Sequence, residues 1–274
     1  MESSPQLTPV QPTKPAAPYI GGKRYLSRRL VAMIAAVPHR TYAEPFVGMG
    51  GVFLRRESRP QSEVINDWSR DVATFYRVLQ RHYVAFLEML RFQITTRAEF
   101  ERLTAVDPDT LTDLERAARF LYLQRVAFGG KVAGRNFGVA HHRGGRFDIT
   151  RLGPMLEELH ERLAGVVIER LPWQAFLARY DTAETLFYLD PPYFGCERDY
   201  GEGMFLRAEF EALAAALKGV RGRFILSLND RPEVRQIFAG LSIQAVGTHY
   251  GVAGQGAQAA REVIITSSLA GVGP

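Results

Sequence analysis

The sequence predicts an α/β fold whose parallel sheet is interrupted by a mainly helical segment. Short apolar strands alternate with amphipathic helices from residue 42 to residue 82, and the alternation returns after residue 164. Two parallel strands joined by a helix form a βαβ unit, the building block of such sheets. Between residues 83 and 163 the helical pattern continues without an obvious core strand. One core built from two stretches of the chain is therefore expected.

Apolar runs and helical spacing place the individual elements. The predicted strands cover residues 42–46, 63–66, 166–170, 186–189, 224–228, 243–246 and 262–267. The predicted helices cover residues 69–81, 173–180, 208–217 and 232–238, and another begins at residues 52–56. In the middle segment, Thr112 and Glu115 form a capping-box pattern, which predicts a helix start.

These elements predict the organisation of the chain. A catalytic core is expected over residues 19–82 and 164–268, and an insertion over residues 83–163. Residues 1–18 are rich in Pro, Ser, Thr and Gln, which predicts a flexible leader and neither a secretory signal nor a membrane anchor. Residues 269–274 are expected to form a flexible tail. The apolar runs are too short to predict a membrane span.

The composition narrows the class of protein. Of 274 residues, 46% are hydrophobic and 23% are charged, which is typical of a globular protein. The 34 basic and 29 acidic residues give a formal net charge of +5, which suits a polyanionic partner without requiring one. The single cysteine, Cys196, cannot form an internal disulfide, so a reducing, cytoplasmic location is favoured.

The tetrapeptide Asp190-Pro191-Pro192-Tyr193 directly follows the predicted strand at residues 186–189. Ligand groups in open α/β sheets cluster at the carboxyl ends of strands. The prolines carry no backbone donors, and an ionised aspartate is acceptor-only, so this tip offers oxygen acceptors beside an aromatic ring. Such acceptors suit an NH₂ group. They would draw the delocalised lone pair of a purine amine toward tetrahedral geometry and allow attack on a methyl sulfonium.

A glycine-rich loop follows the first predicted strand. Residues 44–51 read Glu-Pro-Phe-Val-Gly-Met-Gly-Gly, and glycines permit a tight turn and close approach of the backbone to a cofactor. The dinucleotide fingerprint requires a third glycine where this chain has Phe53. This difference argues against a nicotinamide-dependent oxidoreductase and favours a cofactor without a pyrophosphate.

Two polar motifs accompany this loop. Asn66-Asp67 ends the second predicted strand, where a carboxylate can accept hydrogen bonds from a ribose. The alternative role for Asp67 is that of an acid at the helix start near Ser69, which contributes less than about 1 kcal/mol. Upstream, Lys23 follows two glycines, where it could meet the carboxylate of an amino-acid moiety with Tyr19 packed against it.

The insertion contains a stretch rich in glycine and basic residues at positions 128–147. Such residues can contact phosphates and bases, and the alternative is that they solvate a surface loop. The candidates for DNA contact are Lys131, Arg135, Arg143 and Arg146. His141-His142 lacks a matching Cys or carboxylate cluster, so no metal is predicted.

Together, these motifs resemble the DNA adenine methylase family, in the group whose recognition domain lies between the cofactor and catalytic motifs. The resemblance extends from about residue 19 to residue 266. It implies a Rossmann-like seven-stranded methyltransferase sheet with an inserted, mainly helical DNA-recognition domain. It also implies S-adenosylmethionine as methyl donor, no metal, and double-stranded DNA as substrate.

The resemblance also implies roles for individual residues. Cofactor binding is expected of Tyr19, Lys23, Glu44, Phe46, Gly48, Gly50, Asp67 and Asp190. Catalysis is expected of Asp190, Pro191, Pro192 and Tyr193, with Tyr193 stacked on an extruded adenine. Residues 124–137 resemble the DNA-reading hairpin, which adds Arg125 and Asn136, and residues 227–230 resemble a later strand-end motif. Tyr19-Ile20 stands where the best-known members have Trp-Ala, so a stacking role at that position is not carried over.

The expected activity is transfer of a methyl group to the exocyclic amine of adenine in DNA, by base flipping and direct in-line transfer. Alternatives are transfer to a cytosine amino group, an RNA adenine or a protein glutamine, or a catalytically silent DNA-binding relative. The basic insertion favours nucleic acid over protein. A monomer is expected. The sequence leaves open the recognised DNA site and whether a cognate restriction endonuclease exists as a separate chain.

Cys196 lies close to the catalytic tetrapeptide, but direct transfer to an amine needs no thiol nucleophile. We expect Cys196→Ala to retain methyltransferase activity within about twofold of the parent protein, measured as incorporation of labelled methyl groups into duplex DNA. Complete loss of activity in a correctly folded Cys196→Ala protein would reject direct transfer.

Overall fold

The computed structural model describes residues 7–23, 25–138, 144–201, 203, 205–250 and 258–267. Its main sheet has seven strands, as predicted. They are β2 (Thr41–Glu44), β4 (Ser62–Asn66), β5 (Val167–Glu169), β6 (Thr185–Leu189), β7 (Arg223–Asn229), β8 (Ser242–Tyr250) and β9 (Gln258–Thr266). Two short strands, β1 (Thr8–Pro9) and β3 (Ser58–Arg59), pair with each other outside this sheet.

The strand order in the main sheet is β5-β4-β2-β6-β7-β9-β8. Neighbouring strands are parallel except that β9 runs antiparallel to both β7 and β8. Every residue of β6 is buried, as expected for an apolar strand covered on both faces. The direction of winding reverses between β2 and β6. In open α/β sheets such a switch point leaves a crevice at the carboxyl ends of the strands, where ligands bind.

Nine α-helices connect and cover the described strands. Those packed with the sheet are α1 (Ser27–Ala36), α2 (Arg70–Arg81), α7 (Trp173–Tyr180), α8 (Glu209–Gly219) and α9 (Pro232–Ile237). Those of the predicted insertion are α3 (Tyr83–Leu90), α4 (Arg97–Ala105), α5 (Asp113–Val126) and α6 (Ile149–Arg162). The capping box of Thr112 and Glu115 is present at the start of α5. None of the described helices is long and apolar enough to cross a membrane.

The helix predicted from residue 52 is wrong, because only a 3₁₀ turn forms at Phe53–Arg55. Arg56 leaves the turn with extended backbone (φ −69°, ψ 137°), and its guanidinium is buried against Glu63. The chain then enters β3 almost at once. Tertiary pairing of Arg56 therefore ends the helix that the local pattern favours.

The insertion is continuous with the core rather than a separate lobe. Helix α5 packs against α2, α3 and α4. The ring of Phe75 on α2 lies 5.9 Å from that of Phe120 on α5 and 6.1 Å from that of Phe86 on α3, centroid to centroid. The boundaries predicted at residues 83 and 163 thus mark a change in secondary structure within one hydrophobic core.

The prediction of a flexible leader over residues 1–18 is wrong for residues 7–18. Strand β1 pairs with β3, and Ala16 and Ala17 are buried. The carbonyl oxygen of Ala16 accepts a hydrogen bond from Arg125, and that of Pro18 accepts one from Gln124 Nε2 at 2.9 Å. Small apolar residues and backbone oxygens anchor this segment. The amino-acid composition of the segment does not reveal the side chains that these groups contact. Residues 1–6 and the predicted tail at 269–274 lie outside the described residues.

A buried ion network ties the insertion to the sheet. Glu63 on β4 accepts hydrogen bonds from Arg56 at 2.6 Å and from both terminal nitrogens of Arg162 at 2.7 and 2.8 Å. All three side chains are at most 4% exposed. The two guanidinium groups also lie over aromatic rings, 3.8 Å from the centroid of Tyr42 and 4.1 Å from that of Phe53. Charges buried this deeply require such partners.

We expect Glu63→Gln to lower the free energy of unfolding by about 3–5 kcal/mol, because it leaves two buried guanidinium groups without a carboxylate. Chemical denaturation measures this loss. The matched control is Glu184→Gln, which breaks a solvent-exposed pair with Arg40 and should cost less than about 1 kcal/mol. Equal losses in the two variants would show that the buried network does not stabilise the fold as described.

Candidate active site

A cavity of about 840 Å³ opens at the carboxyl ends of β2, β4 and β6. Most of the residues predicted to bind the cofactor line it. These are Tyr19, Lys23, Glu44, Phe46, Gly48, Asp67 and Asp190, together with Pro192 of the tetrapeptide predicted to be catalytic. Motifs that are far apart in the sequence therefore meet in one cavity at the predicted edge of the sheet.

The glycine-rich loop forms a narrow wall of this cavity. Gly48 has φ +50°, and a Cβ atom built there would lie 3.1 Å from Cε1 of Tyr19. Gly50 has φ +74°, and its Cβ atom would lie 2.8 Å from Cγ of Leu54. Both positions therefore require glycine, for conformation as well as for space. Gly48 faces the cavity, whereas Gly50 shapes the turn behind it.

Asp67 joins this loop to the second strand. Its Oδ2 accepts a hydrogen bond from the Gly48 amide and its Oδ1 accepts one from the Ser69 amide, both at 2.9 Å. Burial raises the pKa of Asp67 to about 6, while the two backbone hydrogen bonds oppose the increase. Asp67 therefore contacts the start of α2 and also lines the cavity, where hydrogen bonding to a ribose stays a prediction.

Two asparagine side chains hold the loops of the site at the strand ends. Asn66 donates to the carbonyl oxygen of Pro45 at 2.9 Å and accepts from the Leu171 amide at 2.7 Å. Asn229, at the end of β7, accepts from the Phe194 amide at 3.0 Å and donates to the Phe194 carbonyl oxygen at 2.9 Å. Because a carboxamide both donates and accepts, each asparagine fixes a loop as a neighbouring strand would.

The carboxylate of Asp190 is anchored through one oxygen. Its Oδ1 lies 2.7 Å from Lys23 Nζ and accepts a hydrogen bond from Ser227 Oγ at 3.3 Å. No hydrogen bond from another described residue ends on Oδ2, and the side chain is 20% exposed. Burial raises the pKa of Asp190 to about 6, although Lys23 acts to lower it. Asp190 thus presents one oxygen to the cavity as a free acceptor.

Lys23 contacts the tetrapeptide directly, which the sequence did not indicate. Its side chain is 1% exposed, and Nζ donates to the Tyr193 hydroxyl at 2.6 Å as well as contacting Asp190. Glu262 Oε2 on β9 lies 3.5 Å from the same ammonium group. The sequence analysis did not identify Glu262, although a glutamate directly before the buried apolar run Val263 to Ile265 is a signal that could have pointed to it.

The family model for D12 class N6 adenine-specific DNA methyltransferases matches residues 19–252 of this chain. The chain belongs to this family. It is therefore an adenine-specific DNA methyltransferase, as the resemblance implied, and its substrate is DNA. The matched region contains the glycine-rich loop, the insertion, the tetrapeptide and all the residues predicted to bind the cofactor, whereas part of the cavity wall, at residues 14–18, precedes it.

Three relatives show how far the sequence similarity extends along this chain. The type II methyltransferase M.CviBI of Paramecium bursaria Chlorella virus NC1A is 21% identical over 83% of this chain and 87% of its own length. The type II methyltransferase M1.LlaDCHI of Lactococcus lactis subsp. cremoris is 28% identical over 66% of each chain. The DNA N-6-adenine-methyltransferase of Escherichia phage P1 is 37% identical over 32% of this chain but only 12% of its own length.

Two arginines predicted to contact DNA make internal hydrogen bonds in this D12 methyltransferase. Arg125 donates to the carbonyl oxygens of Ala16 and Arg146, the latter at 3.0 Å. Arg146 donates to the carbonyl oxygen of Ala127 at 3.1 Å. Arg125 therefore ties the insertion to the N-terminal segment and Arg146 makes a bond within the insertion, roles that their charge alone does not reveal.

The other DNA-binding candidates differ in exposure. Lys131 and Asn136 are exposed, so DNA contact through them stays a prediction. Arg135 is half-buried and donates to Oε1 of Gln124 at 3.4 Å. Gln124 is fully buried and also donates to the carbonyl oxygen of Gly130 at 2.6 Å, a connection that the sequence did not indicate. Arg143 lies outside the described residues.

We expect Asn229→Ala to lower kcat/KM by about 10²-fold while the protein stays folded, because a misplacement of about 1 Å at a reacting centre has effects of this size. Asn229→Asp keeps the acceptor for the Phe194 amide and loses only the donor, so its loss should be smaller. Steady-state kinetics and thermal unfolding measure the two effects. Unchanged kcat/KM in Asn229→Ala would show that this hydrogen-bonded pair does not position the tetrapeptide.

Proposed function

We propose that this chain transfers the methyl group of S-adenosylmethionine to N6 of an adenine that has rotated out of double-stranded DNA. Membership of the D12 class supports adenine in DNA as the target. The geometry of Asp190 carries the proposal on mechanism. This carboxylate stands at the end of β6, anchored through Oδ1, with Oδ2 available and the ring of Tyr193 close by. The type II names of two relatives support recognition of a specific DNA site.

The cavity suits such a cofactor in shape and in chemistry. The Tyr19 ring packs directly against the backbone of Gly48, where a Cβ atom would lie only 3.1 Å from the ring, so that ring and backbone together form one wall of the cavity. Asp67 and Glu44 supply carboxyl groups for hydroxyl or amine partners, and Phe46 and Trp68 supply aromatic surface. When bound, S-adenosylmethionine would supply an electrophilic methyl group on a sulfonium sulfur. No described group of His, Cys, Asp or Glu side chains is arranged to hold a metal ion.

Two acceptors are available for the target amine. Asp190 Oδ2 can accept one N–H, and the Pro191 carbonyl oxygen, which accepts no hydrogen bond from any other described residue, can accept the second. Both contacts localise the lone pair on nitrogen and direct it at the methyl carbon. The N–C bond forms as the C–S bond breaks, and sulfur keeps the electron pair. The excess proton then passes from nitrogen to the Asp190 carboxylate.

Tyr193 is placed to receive the extruded base. Extraction of an adenine from the duplex costs a few kcal/mol, and stacking on an aromatic ring recovers about 1–3 kcal/mol. The Lys23 ammonium holds the Tyr193 hydroxyl at 2.6 Å and lies 4.2 Å from the centroid of its ring. These contacts orient the ring before the base arrives. We assign the rest of the cost to contacts between the insertion and DNA phosphates, for which Lys131 and Asn136 are exposed.

We expect Asp190→Asn to reduce methyl transfer by at least about 10³-fold, because the amide removes the charge that balances the cationic nitrogen of the transition state. Transfer of labelled methyl groups to duplex DNA, followed by digestion to nucleosides, measures the rate and identifies the product. The control is Asp113→Asn, which alters an exposed pair with Arg77 and should leave the rate unchanged. A near-normal rate for Asp190→Asn would remove this residue from the mechanism.

The parent enzyme should lose kcat/KM below a pH of about 6. The folded-state pKa of Asp190 is raised to about 6, so the acceptor form is present above that value and is lost as pH falls through it. A pH profile of kcat/KM between 4.5 and 8, with binding and folding checked at each end, measures the midpoint. A flat profile across this range would contradict the assigned role of the Asp190 carboxylate.

A further inference from the structure

The ammonium group of Lys23 is shared between two carboxylates that stand on different strands. Asp190 follows β6 and lies 2.7 Å from Lys23 Nζ, whereas Glu262 belongs to β9 and lies 3.5 Å from it. The Tyr193 hydroxyl accepts at 2.6 Å. The Asp190 and Tyr193 oxygens lie at hydrogen-bond distance from the ammonium group, whereas Glu262 faces it as a longer ion pair.

Glu262 is fixed within the sheet. It pairs in register with Asn229 of β7 and is 1% exposed, and the next three residues of β9 are apolar and at most 1% exposed. A carboxylate in such surroundings is unfavourable unless it has a partner, and the Lys23 ammonium is one. The lining of the cavity includes Lys23 and Asp190 but not Glu262. Glu262 therefore meets the reacting groups through Lys23.

We propose that Glu262 is a positioning residue for methyl transfer: as a second carboxylate beside the Lys23 ammonium, it offsets part of the positive charge that Lys23 places on Asp190, so that Asp190 keeps its strength as an acceptor. This inference rests on the proposed function of Asp190. An ammonium bound to Asp190 alone would neutralise that carboxylate and weaken it as acceptor and as base. With a second carboxylate on the ammonium, Lys23 can still orient Tyr193 and Asp190 without neutralising Asp190.

The electrostatics of the cluster agree with this geometry. The described side chains that act on Asp190 or respond to its charge are Lys23, Glu44, Tyr188, Ser227 and Glu262. Among them, Lys23 lowers the pKa of Asp190 and Glu262 raises it. Removal of the charge at Glu262 should lower the pKa of Asp190 directly, and it should also leave Lys23 free to bind Asp190 more closely.

This balance bears on the transfer step. When the target amine gains the methyl group, its nitrogen becomes positively charged. It must then lose one of its protons, which Asp190 accepts. A carboxylate of lower pKa accepts this proton less readily and binds the N–H groups of the amine less strongly. Glu262 should therefore affect the rate of transfer more than the binding of either substrate.

The first test compares Glu262→Gln with the parent protein by NMR in the absence of cofactor and DNA. Aspartate carboxyl groups are labelled with ¹³C, and the Asp190 signal is assigned from its loss in Asp190→Asn. We expect the Asp190 carboxyl in Glu262→Gln to bind a proton about tenfold more weakly than in the parent, so that its titration midpoint moves to lower pH. We also expect kcat to fall about tenfold with little change in KM, and Glu262→Asp to recover part of the loss.

The second test asks whether Glu262 acts through Lys23. In a double-mutant cycle with Lys23→Met, the loss of Glu262 should change kcat by less than about threefold, because there is no ammonium left to share. The proposal would be overturned if Glu262→Gln lowered kcat by the same factor with Lys23 present and with Lys23→Met. It would also be overturned if Glu262→Gln left the titration midpoint of Asp190 unchanged. If Glu262→Gln does not fold, Glu262→Asp serves in the same cycle, with a smaller shift in the same direction expected. The NMR titration needs no methyl transfer, so failure of the proposed function would appear separately, as a parent protein that does not methylate DNA.

Discussion

The ion pair between Lys23 and Asp190 is the interaction on which the arrangement of the site depends. It connects the N-terminal segment to the end of β6, and through the Tyr193 hydroxyl it spans 170 positions of the sequence. The strand ends alone would provide a glycine-rich loop on one side and a carboxylate on the other. The ammonium group brings the two together and orients the aromatic ring beside them. Burial of these charges makes their mutual orientation strict, because an unpaired buried charge is unfavourable.

The sequence predicted the sheet and much of the cavity because parallel strands impose a simple rule. Motifs that follow β2, β4 and β6 must meet at one edge, so Phe46, Asp67 and Asp190 could be placed together before any coordinates were known. The local chemistry of the tetrapeptide was equally direct. Two prolines and an aspartate directly after a buried strand are seldom needed for the fold alone, which indicated a functional site. The family match supports this interpretation of the tetrapeptide.

Other features could not be predicted, because they depend on which groups meet across the fold. Ala16 and Ala17 belong to a segment of polar composition and are nevertheless buried. Arg125 and Arg146 carry the charge expected of DNA contacts, yet they donate to backbone oxygens within the protein. Glu262 gave no local sign of its partner because Lys23 lies at the other end of the chain. Charge and hydropathy describe what a side chain can do, and only the tertiary neighbours decide which of these options is used.

The position of Glu262 also determines when the site is complete during synthesis. Lys23 is synthesised before its partner Asp190, and Glu262 emerges on β9 later still. Strand β9 must then insert between β7 and β8 in the opposite direction. A nascent chain on the ribosome can therefore assemble β2, β4 and β6 and form most of the cavity while Lys23 still lacks its second carboxylate. The Lys23 ammonium has both of its carboxylate neighbours only after β9 has joined the sheet.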